Sequence, residues 1–191
     1  MLNAIKGATN QLRGALFEYM VADIVRRLNP GDVTMNRIFN VPDKGKAEID
    51  VLIIQPNQRV FAIECKGYSP YGIIPDEQFK RWLQHNVPTA YAYICQHPEW
   101  KNLSAHFEFW TSAPISEDIL ALFNNAKEKI KPNRYTIDLL GPQDVLRVCG
   151  NTREKNLIEA YKNHFTPRNG SIPPLARQRP PARATAPVEE D

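Results

Sequence analysis

Asp50, Glu64 and Lys66 stand at the charged ends of two apolar runs, "AEIDVLII" and "VFAIECKG", which are joined by "QPNQ". The runs read as two buried strands with a tight turn at Pro56-Asn57. Strand side chains alternate between faces, so Glu48 and Asp50 share one face of the first strand. Glu64 and Lys66 share one face of the second, while Ile63 and Cys65 point the other way. A short turn makes the strands antiparallel, so Asp50, Glu64 and Lys66 are expected to converge at one edge of the sheet. Clustered carboxylates repel one another and lose hydration near a core. A hard divalent cation resolves both problems, because Mg²⁺ takes carboxylate and carbonyl oxygens. The backbone carbonyl of Cys65 would be a further ligand. Lys66 cannot bind the same ion, but it can orient or help deprotonate a water, or steady negative charge on a phosphate. Such parts suit phosphodiester hydrolysis. The plainer alternative is an exposed strand end with an ordinary Glu–Lys ion pair.

The first helix adds a fourth carboxylate. Glu18 has Gly14, Ala15, Val21 and Ala22 at its helical i±3 and i±4 positions, all small or apolar. It therefore needs a partner from elsewhere, either this site or solvent at a helix edge. Asp23 differs, since Arg26 and Arg27 lie one turn on and explain it as a surface ion pair. Tyr68, Tyr71, Lys80, Arg81 and Trp82 follow the hairpin closely. They could touch phosphates and stack on bases, although Trp82 suits the core and the two charges suit solvent. Cys95 and His97 have no second pair at zinc-site spacing, which favours a cysteine beside a loop histidine. No Walker, Rossmann or G-x-S-x-G fingerprint appears.

These residues need elements to position them. Ala8 to Leu28 reads as a helix ended by "NPG", and "MNRIFNV" as a short strand before the hairpin. "DEQFKRWLQH" reads as a helix between Pro75 and Pro88, and "TAYAYICQ" and "HFEFWTS" as strands. "SEDILALFNNAKEKI" is a helix with Ser116 as N-cap. "RYTIDLL" is a strand, "GPQDVLRVCG" a helical turn, and "REKNLIEAYKNHF" a last helix. The pattern predicts an α/β mixed central sheet flanked by helices.

The chain has 191 residues and a formal net charge of +3. That charge is too mild to argue for nucleic acid by itself, yet it leaves room for a local basic cleft. No apolar run approaches the ~20 residues of a membrane span, and the N-terminus lacks the apolar core of a secretory signal. Three scattered cysteines do not make a disulfide scaffold, so a cytoplasmic location is expected. Residues 1–165 are expected to form one domain. Residues 166–191, rich in Pro and Arg, are expected to be a disordered tail.

Taken together, these parts resemble the PD-(D/E)XK, or restriction-endonuclease-like, nuclease superfamily. The matching pieces are Glu18, "AEIDVLI" with Asp50, and "FAIECKG" with Glu64 and Lys66. Downstream, "FEFWTSAPISEDILALFNNAKEKI" and "YTIDLLGPQDVLRV" look like the Mrr-type restriction endonuclease domain. The resemblance covers roughly residues 10 to 150. It implies a four-stranded mixed sheet, Mg²⁺ or Mn²⁺ held by Asp50 and Glu64, Lys66 as catalytic lysine and Glu18 as a supporting carboxylate. "QFKRW" only approximates the Q-x-x-x-Y element of RecB-type members, which makes Gln78 a secondary candidate. The implied activity is an endonuclease acting on DNA, in defence against foreign DNA or in repair, with a protein partner or second copy choosing targets. Two rival readings are an RNA-cutting enzyme of the same fold and a catalytically idle module that binds nucleic acid or scaffolds a complex.

Overall fold

A computed structural model of the protein describes residues 2–131 and 134–167. The elements follow in the order α1 (Leu2–Leu28), β1 (Asp32–Val41), β2 (Gly45–Gln55), β3 (Arg59–Lys66), α2 (Asp76–Arg81), α3 (Val87–Gln96), β4 (Ser104–Thr111), α4 (Glu117–Lys129), β5 (Tyr135–Leu140), α5 (Pro142–Asn151) and α6 (Lys155–Phe165). A π-helical turn, Trp82–Asn86, joins α2 to α3. Apart from Thr166 and Pro167, the segment expected to be a tail lies outside the described residues.

The strands form one sheet in the order β1-β2-β3-β4-β5. β1, β2 and β3 are an antiparallel meander, whereas β3, β4 and β5 run parallel. Both faces are covered, which explains the continuous apolar runs of the hairpin. On one face α1, α5 and α6 contribute Phe17, Val21, Ile24, Val145, Tyr161 and Phe165, packed on Val51, Ile53, Ile63 and Trp110. On the other, α2, α3 and α4 contribute Phe79, Val87, Ala90, Ile94 and Ile119, packed on Leu52, Ala62, Phe107 and Phe109. Trp82 joins this second core and is buried. Ser116 caps α4, its Oγ accepting the Ile119 N–H at 3.2 Å. No described helix is long and apolar enough to cross a membrane.

Two expectations need correction. The sheet has five strands rather than four. "TAYAYICQ" is the helix α3, not a strand, and Pro88 does not end the preceding helix. Its aromatic and β-branched content argued for a strand, but burial decided otherwise. Val87, Ala90 and Ile94 point into the core at helical i, i+3, i+7 spacing. Pro88 lacks an N–H and would crowd the preceding turn of a regular α-helix. The widened π turn lies directly before it, and the Val87 N–H reaches back to the Trp82 carbonyl. Residues 76–96 can thus continue as one helical rod.

Candidate active site at a fork between two strands

The β2–β3 ladder runs from Gln55–Arg59 to Val51–Ile63 and stops there. Beyond that point β2 pairs only with β1, and Glu64, Cys65 and Lys66 of β3 pair only with β4. Asp50 and Glu64 are the next residues in register, so they stand at the fork. The convergence expected from sequence therefore lies at the ends of two interior strands, not at a lateral sheet edge. Diverging strands leave ladder groups without partners, which is costly in a buried setting. Asp50 fills one gap, because its Oδ2 accepts the Cys65 N–H at 2.7 Å.

A break in the β1–β2 ladder lies beside the fork. β1 and β2 keep one register through Met35–Val51 and Arg37–Ile49, yet Asn36 and Asp50 between them do not pair. Asn36 has φ 54°, in the left-handed region that asparagine tolerates better than branched residues do. The faces exchange at this point. Val51 and Ile53 pack toward α1, whereas Ala47 and Ile49 pack toward α3, although all four have odd numbers. Simple alternation fails here, yet Glu48 and Asp50 both open on one cleft of about 430 Å³.

Lys66 lines that cleft beside both carboxylates. Its Nζ is 2.6 Å from Glu64 Oε1 and 3.6 Å from Asp50 Oδ2. It also donates to the Cys65 carbonyl at 3.2 Å. Three hard oxygens thus surround one cationic nitrogen. Burial pushes the Asp50 carboxyl up to about 7, with the Glu64 charge adding to the rise and the Lys66 ammonium opposing it. Burial works against the Lys66 ammonium, but the charges of Glu64 and Asp50 outweigh it and hold the lysine above its ordinary value. Both shifts favour bound protons, through burial at Asp50 and through the two carboxylates at Lys66. A cation bound beside Asp50 would favour its charged form.

Glu18 lies on α1 within the field of this cluster. Burial raises its carboxyl, Lys66 opposes the rise, and Glu48 and Glu64 add to it. Gly67 makes that approach possible. A Cβ there would lie 2.5 Å from Phe17 Cβ and 2.8 Å from the Arg13 carbonyl, so only glycine lets α1 dock against the end of β3. Asp23 instead pairs with Arg27 at 3.0 Å.

The remaining candidates divide. Gln78 and Arg81 line the cleft, and the Tyr68 hydroxyl donates to Gln78 Oε1. Lys80 does not line it and pairs with Glu77 at 3.0 Å. Sequence reasoning missed Asn86, whose Nδ2 donates to Glu64 Oε2 at 3.3 Å from the π turn. It also missed Lys46, which lines the cleft and whose carbonyl contacts His85 Nε2 at 3.0 Å. No local motif marks either residue: Asn86 reaches the site from the π turn, and Lys46 from the start of β2. His97 stacks on Trp100 with ring centroids 3.8 Å apart.

Among the described residues, no three His, Cys, Asp or Glu side chains form a metal cage. The donors on offer are Asp50, Glu64 and the Cys65 carbonyl. That set fits an ion that completes its shell with water and phosphate oxygens, which is the habit of Mg²⁺.

The mixed five-stranded sheet flanked by helices is an α/β fold consistent with a restriction-endonuclease-like domain. The family model described as "Nuclease-related domain" matches residues 13–108. The match takes in half of the chain and includes Glu18, Asp50, Glu64 and Lys66. The chain belongs to the nuclease-related domain family, within the PD-(D/E)XK-like nuclease superfamily. No curated protein and no solved structure matches the chain.

Proposed function

We propose that the protein is a metal-dependent endonuclease that hydrolyses phosphodiester bonds in DNA. The observation that carries this reading is the ring of oxygens from Glu64, Asp50 and Cys65 around the Lys66 ammonium. Asp50, Glu64 and the Cys65 carbonyl would hold Mg²⁺ or Mn²⁺. When bound, the ion would supply a Lewis acid for charge on a phosphoryl oxygen. Lys66 would then turn its ammonium toward the phosphate. Asn86 holds the second Glu64 oxygen and so limits the rotamers of that carboxylate. Arg81 and Lys46, on the cleft wall, are placed for flanking phosphates. Glu18 would hold a water from the α1 side. Lys80, committed to Glu77, receives no role here.

The Mrr-type resemblance, a part in defence or repair and a cytoplasmic location belong to the same proposal. So does target choice by a protein partner or a second copy. The test is incubation with supercoiled plasmid, linear duplex, single-stranded DNA and RNA, in Mg²⁺ or Mn²⁺ and in EDTA. Cation-dependent cutting of DNA is expected. Cutting of RNA alone would replace the substrate. Binding of nucleic acid without cutting, and without metal uptake by calorimetry, would make the protein an idle nuclease-like module.

A further inference from the structure

A second concavity, of about 600 Å³, lies at the other end of the parallel strands, where β3, β4 and β5 begin. Arg59, Lys101 and Arg134 line it, and no Asp or Glu does among the described residues. None of these three cations is in an ion pair with a described carboxylate. Tyr91 and Tyr135 form one wall, with ring centroids 4.9 Å apart, and Phe107 braces Tyr135 edge-on at 5.4 Å. The Arg134 charge is felt by both tyrosine hydroxyls. The C-terminal end of α3 also reaches this wall through Ile94 and Cys95. That helix end carries a partial charge of about −0.5, which three full cations outweigh.

We propose that this concavity binds a nucleotide phosphate, with its base ring against Tyr91 and Tyr135 and its phosphate between Arg59, Lys101 and Arg134. Convergent cations without carboxylates select an anion, and guanidinium groups suit phosphate oxygens. An aromatic wall beside them selects a planar ring, because base–aromatic stacking is tolerant of sequence. The phosphate has two available sources, a free nucleotide or the flank of a nucleic-acid strand. The helix α3 links the two sites, since Asn86 in the turn before it touches Glu64 and Cys95 near its end lines the concavity. Nine residues of helix separate them by about 14 Å. An extended strand of a few nucleotides spans that distance.

The test measures binding in EDTA, so it does not depend on cleavage. The probes are adenosine triphosphate, a twelve-nucleotide single-stranded DNA and pyrophosphate. The parent is compared with the double variant Arg59→Ala/Arg134→Ala, both positions being exposed, and with Lys101→Glu. At least tenfold weaker binding in both variants is expected, with circular dichroism unchanged. Loss of triphosphate binding assigns the concavity to free nucleotides. Loss of DNA binding alone assigns it to a strand flank. The proposal is overturned if neither nucleotide probe binds the parent, if the variants bind as tightly as the parent, or if pyrophosphate binds as tightly as the triphosphate.

Discussion

Asp50 Oδ2 accepts the backbone N–H of Cys65 at 2.7 Å across the gap where β2 and β3 part. One carboxylate therefore serves two ends. It replaces a missing ladder acceptor, and it lines the cleft with Glu64. These ends conflict in the metal-free protein, because a residue only 8% exposed is asked to carry charge.

That conflict sets a pH dependence. The folded carboxyl titrates at about 7 against an ordinary 3.8, so the native state binds the proton more tightly than the unfolded chain does. In EDTA, stability should fall as pH rises from about 4 to about 7 and level off above. The displacement caps the effect at ~4 kcal/mol. Asp50→Asn keeps an acceptor for Cys65 and removes the charge. It should flatten the slope and be more stable than the parent at pH 8. Urea titrations at pH 5, 6.5 and 8 check this; a parent without slope refutes it.

Metal should reverse the trend. Divalent cation binds the charged form, so a rise in melting temperature with Mg²⁺ or Mn²⁺ should be larger at pH 8 than at pH 5.5. At a concentration one hundred times Kd the gain is about 2.7 kcal/mol. Asp50→Asn should lose most of it. Calorimetric scans with and without cation decide the matter, and identical curves would count against a metal site.

Removing the lysine should separate chemistry from folding. Lys66→Ala leaves Asp50 and Glu64 without their shared cation, so the variant should melt lower in EDTA and recover in Mg²⁺. Cleavage should nonetheless fall by about 10²–10⁴-fold at saturating cation. A variant that cuts plasmid at the parental rate would show that Lys66 has no catalytic part.

Two carboxylates on α1 provide an internal contrast. Glu18 lies in the field of Lys66, Glu48 and Glu64, whereas Asp23 is paired with Arg27. Glu18→Gln should lower cleavage about tenfold or more without loss of stability, since a desolvated charge disappears. Asp23→Asn should leave cleavage unchanged. The opposite pattern would mean that the other face of α1 serves the site.

Asn36 tests the origin of the fork. Asn36→Gly keeps the left-handed conformation and should retain cation affinity. Asn36→Val disfavours φ 54° and should weaken cation binding about tenfold through a displaced Asp50. Isothermal titration with Mn²⁺ reads both. Equal affinities in the two variants would show that the bend does not depend on Asn36.

The local elements were largely legible in the sequence, because their signals are local. The hairpin followed from two apolar runs about Pro56-Asn57, the α4 start from Ser116, and the exposed pairing of Asp23 from its helical spacing. Parity along β3 put Glu64 and Lys66 on one face, and the antiparallel register brought Asp50 beside them. Tertiary structure decided the rest. Whether "TAYAYICQ" became helix or strand depended on which of its residues the sheet would bury, and composition alone favoured the wrong period. Asn86 reached Glu64 only because that segment is helical and its π turn shifts the phase of the rod. The fork lies beside the point where Asn36 and Asp50 fail to pair, a relation between two strands that neither strand encodes alone. Burial and pairing are properties of assembled surfaces, so only the folded chain could assign them.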